Sequence, residues 1–132
     1  MVISVYVYLY PDPNPSFAIK LDSTGSVQWA NSVSTGIPDE NFYFSAIRQT
    51  EDGGYITTGI NIISYPETDK VILTKLSPEG DVEWAKALTE LPWPFYQIYD
   101  AVVLEDGFLF LGNRDLAIMK TDLAGNFMWG KQ

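Results

Sequence analysis

The chain has 132 residues and a formal charge of −9, with eight Lys plus Arg against 17 Asp plus Glu, and it contains neither cysteine nor histidine. This leaves room for one domain with a sizeable core. It excludes thiol nucleophiles, disulfides, thiolate zinc sites, cysteine-ligated iron–sulfur clusters and every Ser-His-Asp or Cys-His arrangement, while an acidic surface without a basic cluster argues against nucleic acid as a partner.

In chain order, residues 2–10 form a run rich in β-branched and aromatic side chains, which favours a pleated strand. The run is too short to span a bilayer and has neither a basic start nor a small-residue cleavage site, so it predicts neither a membrane span nor an export signal. The polar loop Pro11-Asp-Pro-Asn-Pro15 follows, then strands over 17–21 and 27–33 joined by Asp22-Ser-Thr-Gly25. An Asp at the start of such a turn can bond its backbone N–H groups, and Gly supplies a positive φ.

A second set of strands is predicted over 44–49, 55–62, 70–76 and 82–88, and a third over 98–104, 108–112, 116–121 and 127–131. Glu51-Asp-Gly-Gly54 and Glu105-Asp-Gly107 read as hairpin turns rather than calcium loops: each offers two acids, where calcium takes six to eight oxygens. Ser77-Pro-Glu-Gly80 suits a type I turn with Gly80 in the left-handed position. No helical periodicity is sustained anywhere. Val71-Ile-Leu and Phe108-Leu-Phe-Leu are nearly continuous apolar runs, as expected of strands covered on both faces.

These elements repeat. Lys20, Gly25 and Trp29 recur in register as Lys75, Gly80 and Trp84, and again as Lys120, Gly125 and Trp129, at steps of 55 and 45 residues. Residues 45–59 likewise match 99–112, and residues 1–33 overlay 56–88 without a gap. The predicted fold is therefore all-β. It is one partial β-propeller domain of about three antiparallel blades over residues 1–35, 42–90 and 96–132, the first lacking its innermost strand. A closed propeller has four or more blades. Either flanking sequence supplying additional blades or self-association of several chains is expected to complete the ring, because open blade faces are apolar.

The pattern of Lys-Leu-Asp-x-x-Gly-x-Val-x-Trp with Glu-Asp-Gly-Gly-Tyr-Ile-x-x-Gly resembles the delta-sixty, or bacterial β-propeller, repeats of bacterial and archaeal surface and secreted proteins. Those repeats are themselves similar to quinoprotein blades. The resemblance covers nearly the whole chain and implies an extracellular or cell-surface binding or scaffold module, non-enzymatic and without a cofactor. Its alternative implication is a fragment of a quinoprotein-like or other propeller enzyme. The only arginines are Arg48 and Arg114, and no carboxylate cluster stands beside either in the sequence to suggest a quinone site.

Within the repeat, Trp29, Trp84 and Trp129 read as wedges between blades. Lys75 is expected opposite Glu83 and Lys20 opposite Gln28 across their hairpins, leaving Lys120 opposite Met128 without a charged partner. The candidate binding loop is Leu91-Pro-Trp-Pro-Phe-Tyr96. Its two prolines stiffen it, and Trp93, Phe95 and Tyr96 form a platform suited to carbohydrate or a protein. The polar loops Tyr65-Pro-Glu-Thr-Asp69 and 11–15 are a second candidate.

Overall fold

The computed structural model describes residues 2–6, 16–33, 42–61, 70–89, 91–92, 97–112 and 116–132. These residues form eleven strands and no helix. The strands are β1 (Val2–Tyr6), β2 (Ser16–Leu21), β3 (Val27–Val33), β4 (Phe42–Gln49), β5 (Tyr55–Asn61), β6 (Lys70–Leu76), β7 (Val82–Leu88), β8 (Ile98–Leu104), β9 (Gly107–Gly112), β10 (Ala117–Thr121) and β11 (Phe127–Lys131). They assemble into three antiparallel sheets in strict chain order: β1-β2-β3, β4-β5-β6-β7 and β8-β9-β10-β11.

The last hairpin of each sheet is closed by the same turn. Asp22 Oδ1 accepts the N–H groups of Thr24 and Ser26 at 2.8 and 3.0 Å, and Asp122 Oδ1 accepts those of Ala124 and Asn126 at 2.9 and 2.8 Å. Ser77 Oγ takes this role in the middle sheet, at 3.2 Å from both Glu79 N and Asp81 N. Gly25, Gly80 and Gly125 follow at φ of 85°, 88° and 76°, a conformation that L-residues other than Asn and Asp seldom adopt. The extra turn residue shifts the register by one after Lys20, Lys75 and Lys120, which is the bulge expected of a type I turn closed by a left-handed residue.

That bulge corrects the sequence-derived pairing. Lys20, Lys75 and Lys120 lie directly opposite Trp29, Trp84 and Trp129, and not opposite Gln28, Glu83 and Met128.

The sheets pack in series. One apolar cluster joins the first sheet to the second through Ala18, Val33, Ile47, Tyr55 and Leu76; a larger one joins the second to the third through Ile56, Val71, Leu73, Phe108, Phe110 and Met119. The leading strands also adjoin, β1 against β4 and β4 against β8. Because the middle sheet is covered twice, every residue of β6 from Val71 to Leu76 is buried. In β10, by contrast, burial alternates, as for a sheet with one covered face. The expectation for 108–111 is corrected in the same way: Phe108 and Phe110 are fully buried, whereas Leu111 on the other face is 37% exposed.

Candidate functional site

The junctions between sheets are built from the repeated residues. Trp29 in β3 lies on the turn of the second sheet, so close that a Cβ on Gly80 would stand 2.7 Å from its Cζ3. Its Nε1 donates to Pro78 O at 3.1 Å, and Asn31 Nδ2 donates to Glu79 O at 3.0 Å. Trp84 in β7 lies on the turn of the third sheet in the same way, where a Cβ on Gly125 would stand 2.8 Å from its Cη2. Lys86, two residues beyond Trp84 as Asn31 is beyond Trp29, donates to Ala124 O at 2.9 Å and to Asn126 Oδ1 at 2.6 Å. Glycine is thus favoured at these turns twice over, by backbone conformation and by the indole packed against it.

The outermost members of the series differ. Gly25 has no described neighbour within 4 Å of a Cβ position. Trp129 is 40% exposed, with Lys131 Nζ 5.8 Å from its ring centre.

The three lysines also diverge. Lys75 is buried, with its Nζ 2.9 Å from Asp52 Oδ2, 3.3 Å from Glu83 Oε2 and donating to Leu76 O at 3.2 Å. Lys120 is not without a charged partner, as its place opposite Met128 would suggest: its Nζ reaches Asp106 Oδ2 at 2.5 Å. Asp52 and Asp106 occupy the same place in the Glu-Asp-Gly turns, so the motif that closes the first hairpin of a unit supplies the carboxylate for the lysine two strands later. Lys20 makes no ion pair among the described residues; its Nζ stands 5.9 Å above the ring of Tyr55, against which Trp29 also packs edge-on at 5.8 Å.

Where Lys75 turns toward its own acids, a groove of about 320 Å³ opens between the second and third sheets. Trp84, Val103, Leu104, Phe108 and Leu123 form its apolar wall; Glu51, Asp52, Glu83 and Glu105 also line it, Asp52 and Glu83 pairing with the Lys75 ammonium. The hydroxyl of Thr50, followed by Lys75 and the Gly54 N–H, holds the Asp52 carboxyl down at about 2. Asp22, Asp106 and Asp122 are also held below the ordinary carboxylate range, chiefly by hydrogen bonds from Thr24, Lys120 and Asn126 respectively. A carboxylate so stabilised is an ionised acceptor at neutral pH and a poor proton donor. Among the described residues no three acids converge as a metal site.

Of the residues singled out by sequence, the nine repeated Lys, Gly and Trp positions meet at the two junctions or on the equivalent outer surfaces. Trp93, Phe95 and Tyr96 lie outside the described residues, as do Arg114 and the loops 11–15 and 65–69. Arg48 pairs with Asp100 across β4 and β8, a carboxylate partner the sequence reading missed because 52 residues separate them. No protein-family model matches the chain, and no curated protein is significantly similar to it.

Proposed function

We propose that the chain is a stretch of a propeller-type array of four-stranded blades, acting as a non-enzymatic binding or scaffold module of a larger surface or secreted assembly. The observation that supports this most is the junction itself. The tryptophan of one sheet sits on the glycine turn of the next at both junctions, with the same offset to a side-chain donor two residues on. A frame assembled by repetition of one contact is a rigid support from which loops of unrelated sequence can be presented.

On this reading ligands meet the loops between blades, with Trp93, Phe95 and Tyr96 as the recognition platform for carbohydrate or a protein segment. The test is binding of the purified chain to a panel of immobilised oligosaccharides and peptides. Binding that is lost in Trp93→Ala, with the unfolding midpoint unchanged, supports the reading. A quinone chromophore that copurifies with the chain, seen by absorbance and mass spectrometry, overturns it in favour of the quinoprotein-like alternative.

A further inference from the structure

The two junctions within the chain define a contact with two halves. One half is an indole on the last strand of a sheet with a polar side chain two residues further on; the other is a glycine turn whose carbonyls face outward. The chain carries one unused copy of each. Trp129 is 40% exposed on β11, where Trp29 and Trp84 are partly covered. Lys131 stands two residues beyond it, in the place of Lys86. The Asp22–Ser26 turn holds Gly25 at a φ of 85° with no described residue within 4 Å of a Cβ position, the space filled by indoles at Gly80 and Gly125.

The sheet faces behind these halves are apolar too. Leu109 and Leu111 lie on the face of β9 opposite to the core, beside Val102 of β8 and Ile118 of β10; Leu111 and Val102 are 37% and 51% exposed. On the first sheet Phe17 and Ile19 lie on the face turned away from the second, with Val27 63% exposed beside their turn.

We propose that copies of this chain dock head to tail, with Trp129 of one copy lying on the Gly25 turn of a second copy and repeating the Trp29–Gly80 and Trp84–Gly125 junctions. Lys131 then donates to the carbonyl of Thr24 and to Ser26 of the second copy, as Lys86 does to Ala124 and Asn126. The contact is heterologous, because it uses different surfaces on the two partners. It propagates into a ring or a filament instead of stopping at a symmetric dimer. This inference rests on the serial-array reading given above.

The test is sedimentation velocity on the whole chain, on Trp129→Ala, on Gly25→Asn and on an equimolar mixture of the two variants. Asn tolerates the left-handed conformation, and its Cβ at position 25 meets no described residue within 4 Å, so the turn survives while the indole seat is blocked. The whole chain should sediment as species larger than a monomer, and each variant alone as a monomer, weakened by at least roughly thirty-fold in association as befits a central Trp anchor. The mixture should give a 1:1 dimer and nothing larger, since only one intact junction can form. A monomeric whole chain, variants that still associate, or a mixture that stays monomeric each overturns the proposal. Gly80→Asn separates this failure from that of the array reading. If it lowers the unfolding midpoint well below that of Gly25→Asn, the internal junction stands and only the docking falls; if the two midpoints agree, the array reading falls as well.

Discussion

Trp84 leaves Gly125 no room for a side chain: a Cβ there would come within 2.8 Å of the indole Cη2 and 2.9 Å of Cζ3. Gly80 stands in the same relation to Trp29, and Gly25 to no described residue within 4 Å. All three have a positive φ, so Ala at any of them carries the left-handed penalty of about 1–2 kcal/mol. At Gly80 and Gly125 it also pushes an indole off its seat. Gly80→Ala and Gly125→Ala should therefore destabilise by about 1–3 kcal/mol more than Gly25→Ala. Urea unfolding of the three variants, each in the Trp129→Ala background that leaves Gly25 uncovered, measures the difference, and equal midpoints would count against the junction.

Lys75 is a buried ammonium served by two acids that reach solvent, its side chain being 8% exposed against 58% for Asp52 and 43% for Glu83. Removing the lysine leaves carboxylates that water can solvate. Neutralising both acids leaves a buried charge with no counter-ion among the described residues, held only by neutral acceptors such as the carbonyl of Leu76. The double change Asp52→Asn with Glu83→Gln should cost about 3 kcal/mol, and Lys75→Met distinctly less. The reverse order in denaturant midpoints would show that the ammonium is hydrated.

What the sequence makes legible here is what depends on neighbours in the chain. The hairpin turns follow from Asp, Ser and Gly within five residues of one another, and the three-fold recurrence of Lys, Gly and Trp marks the units without any structure. Two things escape it. A bulge adds one residue after the turn, so counting across the hairpin puts Lys75 opposite Glu83 when Trp84 is its backbone partner, although the Lys75 ammonium does reach the Glu83 carboxylate. The junction escapes as well, because Gly80 and Trp84 belong to one motif in sequence yet to different contacts in space: Gly80 receives Trp29, and Trp84 reaches Gly125. The Lys120–Asp106 pair could have been found, since a Glu-Asp-Gly turn accompanies each lysine whose unit has all four strands.

Acid should loosen the fold in a defined window. The Asp52 carboxyl is held at about 2, below its ordinary 3.8, by Thr50, Lys75 and the Gly54 N–H. A carboxyl with a depressed folded-state pKa contributes stability that is complete above the ordinary value and is lost as pH falls through the folded one. Stability should therefore decline from about pH 4 toward pH 2, and Asp52→Asn should flatten that decline. Thermal unfolding of both chains across this range checks the sign; an unchanged slope would mean that Asp52 contributes nothing to it.

Arg48 and Asp100 link the second and third sheets at their leading strands, with side chains 49% and 47% exposed. A pair so open to solvent is worth about 0.2–1 kcal/mol and is screened by salt. Arg48→Ala should lower stability by no more than that, and the loss should vanish at high ionic strength. A larger, salt-independent loss would place more of the sheet-to-sheet contact at β4 and β8 than at the tryptophan seats.

The seating of each indole on the next turn is tested most directly by the proton chemical shifts of the glycines. In Trp129→Ala, where no second copy can cover Gly25, the Hα resonances of Gly80 and Gly125 should be displaced from ordinary turn values by the ring currents of Trp29 and Trp84, with cross-peaks to the indole protons. Those of Gly25 should stay at ordinary turn values. Three glycines with matching shifts and no indole cross-peaks would contradict the account.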